Sequence, residues 1–139
     1  MEQYTHTEGP WVLTDVSLTI ESPDLEPDSL TSMLGITPTD TRMPGPSRWR
    51  PADDTNGLWI LKCNDRISDT LDEQIDYVLS AIEPKSQELQ RLITSGFQAY
   101  LQIHGFVGNG ATFRLSTSTL ERLARLGIPL KVSQNANER

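Results

Sequence analysis

The chain has 139 residues, one cysteine, and 19 acidic against 12 basic side chains, for a formal charge of −7. That length suits one domain and is too short for two independent cores. A hydrophobic share of 36% with 22% charged residues excludes a disordered chain, and the acidic balance disfavours nucleic acid and anionic membrane, which both need a positive surface.

Residues 1–10 carry no periodicity and end in Gly-Pro, so they read as a flexible N-terminal segment. Val16, Leu18 and Ile20 then alternate with Ser17 and Thr19, the period of a half-buried strand. "DLEPDSLTSMLG" reads as a short helix. Pro27 fits its first position, and Glu26 and Asp28 favour the positive end of its dipole. Leu25 and Leu30 are spaced as a hydrophobic staple, Gly35 suits a left-handed C-cap, and Pro38 prevents continuation. Residues 37–57 hold four prolines and two glycines and read as the longest irregular segment. "GLWILKC" follows as an interior strand, apolar on both faces.

From Asp69 the period becomes helical, with Leu71, Ile75, Val78, Leu79 and Ile82 on one stripe. Thr70 with Glu73 forms a candidate capping box in which Asp69 competes for the cap. Pro84 starts a second helix carrying Leu89, Leu92 and Ile93, ended by Gly96. "FQAYLQI" and "ATFRLS" both alternate, which predicts a hairpin closed near Asn109-Gly110. Ser118 with Glu121 predicts a cap for a helix that turns Leu120, Leu123 and Ala124 inward and ends at Gly127. "IPLKV" is the last strand.

These elements predict an α+β fold: an antiparallel or mixed β-sheet covered by helices on one face. The "LGI" that ends the first helix recurs at the last, which suggests pseudo-duplicated halves. The domain is expected over residues 11–133, with 134–139 as a polar tail.

No histidine, cysteine or carboxylate spacing fits a metal, and no glycine pattern fits a phosphate or dinucleotide cradle, so no cofactor is expected. Cys63, in or just after an apolar strand, reads as a small buried hydrophobe. As the lone cysteine it forms no internal disulfide. Nothing near the start reads as a signal peptide, and no stretch reaches membrane-spanning length, so the expected location is cytoplasmic. One segment stands out. Arg42, Arg48 and Arg50 flank Trp49, and Trp59 begins the next strand. Arginine and tryptophan offer stacking and bidentate contacts, so Arg42, Arg48, Trp49, Arg50 and Trp59 are the candidate ligand-binding residues. The plainer account pairs these arginines with the acidic surface and packs Trp49 onto the core.

The strand before "DLEPDSLTSMLGITPTDTR", the later "GLWIL", the helix pair interrupted by proline and the closing "LERLARLGIPLKV" resemble the bacterial domain-of-unknown-function family 4279 (DUF4279) over roughly residues 12–132. The resemblance brings no assigned activity. Its matching positions are Pro27, Leu34, Gly35, Pro38, Arg42, Gly57, Trp59, Leu126 and Gly127. Helix stops and packing account for most of them, and only Arg42 and Trp59 lack a sufficient local reason. With no catalytic spacing and an acidic charge, the expected function is a non-enzymatic protein-binding module, for example an immunity-like protein with a basic partner. Two alternatives stay open. One is a small anionic ligand binder or enzyme using the arginine/tryptophan loop at 42–59, and the other is a structural homodimer paired at a sheet edge.

Overall fold

The computed structural model describes residues 12–46, 54–63, 70–107 and 114–136. The chain begins with strand β1 (Val12–Ser22), helix α1 (Pro27–Leu34) and strand β2 (Asp40–Arg42). Two two-residue strands, β3 (Gly45–Pro46) and β4 (Asp54–Thr55), pair with each other before β5 (Gly57–Cys63). Helix α2 (Leu71–Ile82), a 3-10 turn at Glu83–Lys85 and helix α3 (Ser86–Thr94) lead to β6 (Gln98–Val107). Helix α4 (Thr117–Leu126) and strand β7 (Leu130–Ala136) complete the described chain.

Five strands form one sheet in the order β2-β5-β1-β6-β7. All neighbours are antiparallel except β6 and β7, which run parallel across the α4 connection. The sheet is therefore mixed and the fold α+β, as the patterning predicts. Two crossovers each straddle one strand: β1-α1-β2 passes over β5, and β5-α2-α3-β6 passes over β1. This is the split β-α-β pattern. It supplies two half-units, but the "LGI" echo does not mark them, since α1 belongs to the first and α4 to the appended β7 unit.

The alternation of the strands sets one core face. Val16, Leu18 and Ile20 of β1, Trp59, Leu61 and Cys63 of β5, and Ala99, Leu101 and Ile103 of β6 are buried together. Leu30 and Leu34 (α1), Ile75, Val78, Leu79 and Ile82 (α2), Leu89 and Leu92 (α3) and Leu123 and Leu126 (α4) close over them. Each fully buried Leu or Ile contributes about 1.5–3 kcal/mol, which lets helices as short as α1 persist.

The punctuation is largely where the sequence places it. Gly35 and Gly127 take φ of 66° and 70° as left-handed caps. The Thr70 hydroxyl accepts from the Glu73 N–H at 3.3 Å, so Thr70 caps α2, while Asp69 lies outside the described residues.

Five expectations change. The segment 37–57 contains β2, which pairs with β5, as well as β3 and β4. The hairpin gives way: residues 108–113 lie outside the described residues, Arg114–Ser116 is not strand, and both edges of β6 are taken by β1 and β7. The α4 cap is Ser116 rather than Ser118, with the Thr119 N–H donating to its Oγ at 3.1 Å. The buried face of α4 is Thr119, Leu123 and Leu126, while Leu120 is half exposed. Polar residues share that face because they find partners there. Arg122 donates from Nε and Nη2 to the Glu83 carboxylate at 2.7 and 2.9 Å, and from Nη1 to Asp76 at 3.0 Å. Finally, the domain does not stop at 133. Residues 133–136 belong to β7 and pair with 104–107 of β6.

Candidate functional site

Directly opposed residues in a sheet share a face, so the register locates the second face without further assumption. It carries Asp15, Ser17, Thr19 and Glu21 of β1, Leu58, Ile60 and Lys62 of β5, and Asp40 and Arg42 of β2. From the other side come Gln98, Tyr100, Gln102 and His104 of β6, with Lys131 and Ser133 of β7. Among the described residues all four helices pack on the opposite, apolar face.

One connected row crosses this polar face. Arg42 donates from Nε and Nη2 to the Asn56 carbonyl at 3.2 and 3.0 Å. Asn56 Nδ2 donates to Glu21 Oε1 at 2.9 Å, and the Tyr100 hydroxyl donates to Glu21 Oε2 at 2.8 Å. Lys131 Nζ lies 3.8 Å from the centre of the Tyr100 ring, a cation–π contact. The row thus runs from edge strand β2 to edge strand β7, with one carboxylate at its middle.

Its electrostatics follow from these contacts. The Asn56 hydrogen bond, against partial burial, holds the Glu21 carboxyl below its ordinary value, with Tyr100, Lys131 and Arg42 acting in the same direction. Burial, and then the hydrogen bond and charge of Glu21, push Tyr100 up to about 12. The linked stabilities have opposite signs. Glu21 contributes fully above 4.5 and loses that contribution as pH falls through its depressed folded value. Tyr100 contributes fully below 10.0 and loses it as pH rises toward about 12. Replacing Glu21 by Gln is therefore expected to bring the high tyrosine titration down toward 10, read by absorbance of the phenolate during alkaline titration. A Tyr100 titration unchanged in Glu21→Gln would contradict the row.

A second network lies further along the face. Ser133 Oγ accepts from Gln102 Nε2 at 3.2 Å and lies 2.9 Å from His104 Nδ1. Beside it is a concavity of about 220 Å³ lined by Asp15, Ser17, Thr19, Ile60, Lys62, Gln102 and His104. Its origin is simple: the central strand offers short Ser17 and Thr19, and the flanking strands offer the longer Lys62, Ile60, Gln102 and His104.

The structure places two of the residues that the sequence groups together, Arg42 and Trp59, on opposite faces of the sheet. Arg42 is exposed on the polar face. Trp59 pairs with Thr41, points to the helix side, is fully buried, and donates from Nε1 to Thr31 Oγ1 at 3.2 Å. It is a core residue and shares no cleft with Arg42. Arg48, Trp49 and Arg50 lie outside the described residues. Cys63 is buried, and desolvation pushes its thiol above the ordinary value, away from the thiolate form. Among the described residues no cluster of three or more His, Cys, Asp or Glu side chains could hold a metal ion, and no helix is long and apolar enough to cross a membrane. Glu21, Tyr100 and Lys131 escaped the sequence reading, although their alternation with core residues already places them on a polar strand face.

Among the described residues, a mixed sheet backed by helices on one face and polar on the other defines an α+β protein. The chain belongs to the family described as Domain of unknown function (DUF4279), whose model matches residues 12–137. No curated protein and no solved structure matches it.

Proposed function

We propose that the chain is a non-enzymatic protein-binding module that receives its partner on the polar face of the sheet, along the row from Arg42 to Lys131. The single observation that carries this reading is the row itself. Charged and aromatic groups are held in place across the sheet before any partner arrives, which lowers the ordering cost of association. Asp15, Glu21 and Asp40 share this face with Arg42, Lys62 and Lys131. Local charges of both signs suit a matched pattern, while the overall charge of −7 speeds the approach of a basic partner. An immunity-type protein that neutralises a basic toxin is one concrete form of such a module.

The test is affinity capture at low salt from the source organism with the full tagged chain. A face variant, Arg42→Glu with Lys131→Glu, is compared with a helix-layer variant, Arg91→Glu. The expected outcome is one protein recovered by the parent and by Arg91→Glu but lost with the face variant. Recovery of nothing, or recovery indifferent to the face variant, would count against the reading.

A further inference from the structure

The concavity at Asp15 and Lys62 lies toward the other end of β1 from Glu21, and it raises a separate question. Ser17 sits in its wall, retains 8% of its surface, and its hydroxyl meets no hydrogen-bond partner among the described residues. Native structures almost always supply a buried polar group with a hydrogen-bond partner, from the protein or from water. The groups around it are also uncommitted. Lys62 lies directly opposite Ser17 on β5, and its ammonium takes part in no ion pair or side-chain hydrogen bond among the described residues. Asp15 lies two residues before Ser17 on the same face, and its carboxylate is equally uncommitted among the described residues. Among the described residues a cation and an anion therefore line one concavity without pairing, and the hydroxyl in its wall belongs to the residue directly opposite Lys62 on β1.

We propose that this concavity binds a small zwitterion of the α-amino-acid class, with the ligand carboxylate on Lys62 Nζ and Ser17 Oγ and the ligand ammonium on the Asp15 carboxylate. Both charges of the ligand then meet their opposites, and the Ser17 hydroxyl gains its missing acceptor. The Gln102 Oε1 atom and the Ile60 side chain are left to face the ligand's own side chain. A water's share of liquid volume is about 30 Å³. A space of about 220 Å³ is thus several waters in size, the scale of a free amino acid. The proposal uses none of the residues of the Arg42–Lys131 row and shares with the partner face only the charges of Asp15 and Lys62, so the Arg42→Glu with Lys131→Glu variant leaves it untouched.

The experiment is a thermal-shift panel of the common amino acids at millimolar concentration on the full chain. Calorimetry follows with the best of them, its amide and its deaminated acid. The amide lacks the carboxylate and the deaminated acid lacks the ammonium, so each is expected to bind about tenfold more weakly or worse. Lys62→Met should abolish the preference over the amide, and Asp15→Asn the preference over the deaminated acid. Ser17→Ala, a change that leaves the strand's packing intact, should weaken the amino acid and the deaminated acid alike, because both place a carboxylate on its hydroxyl, with the circular dichroism of all three variants unchanged. The proposal is overturned if no amino acid shifts the melting temperature, in which case water alone serves Ser17. It is equally overturned if the analogues bind as well as the amino acid, or if the variants leave the discrimination intact.

Discussion

Replacing Trp59 by alanine is expected to lower the unfolding free energy by about 3–5 kcal/mol, the range for removing a large aromatic side chain from a core. Trp59 is among the largest fully buried side chains of the molecule and sits where β5 meets α1. Its loss opens a cavity under Leu30 and Leu34 and leaves Thr31 Oγ1 without the indole donor. Helix α1 has eight residues and depends on that packing, so it should loosen first. Replacing Arg42 by alanine provides the contrast. Its two hydrogen bonds to the Asn56 carbonyl are exposed, and their loss should cost about 1 kcal/mol or less. Chemical denaturation of the two variants measures the difference. Equal losses would mean that Trp59 does not carry the α1 contact assigned to it.

That contrast also shows which parts of this molecule local sequence can reveal. Gly35, Thr70 and Pro27 act within a few residues of themselves, and their roles are visible without a fold. The strand faces were equally legible, because alternation alone separates Val16, Leu18 and Ile20 from Ser17 and Thr19. The polar row across the sheet is not. Arg42 reaches the Asn56 carbonyl 14 residues on, and Tyr100 meets Glu21 across 79 residues, so nothing near either residue announces its partner. The missed pairing of β6 has the same cause: its neighbours β1 and β7 are chosen by topology, whereas turn chemistry at 108–110 argues only for a nearby strand. In α4 the inward face is not purely apolar. Thr119 and Arg122 share that face because Ser116, Glu83 and Asp76 satisfy them.

The fold and the row meet at Gly57, and its replacement by alanine is expected to damage both. A Cβ at this position would lie 2.6 Å from the Leu25 carbonyl oxygen and 3.1 Å from Leu25 Cβ and Pro44 Cδ. The first of these is backbone and cannot rotate aside. Leu25 is fully buried and leads into α1, so relief requires either a shift of that turn or withdrawal of the first residue of β5 from its pairing with Ser22. Forcing extra volume into a packed site typically costs about 1–3 kcal/mol, and the backbone contact puts Gly57→Ala at the upper end. Asn56 immediately precedes this residue. If Gly57 moves, the carbonyl that accepts from Arg42 and the amide that holds Glu21 move with it. The expected result is therefore double: a denaturation midpoint well below that of the parent, and a Tyr100 titration drawn down from about 12 as Glu21 loses its fixed position. Core destabilisation by Trp59→Ala, measured where that variant is still folded, should leave the tyrosine titration high. A Gly57→Ala protein that is destabilised yet keeps the high titration would show that the row does not depend on how β5 begins.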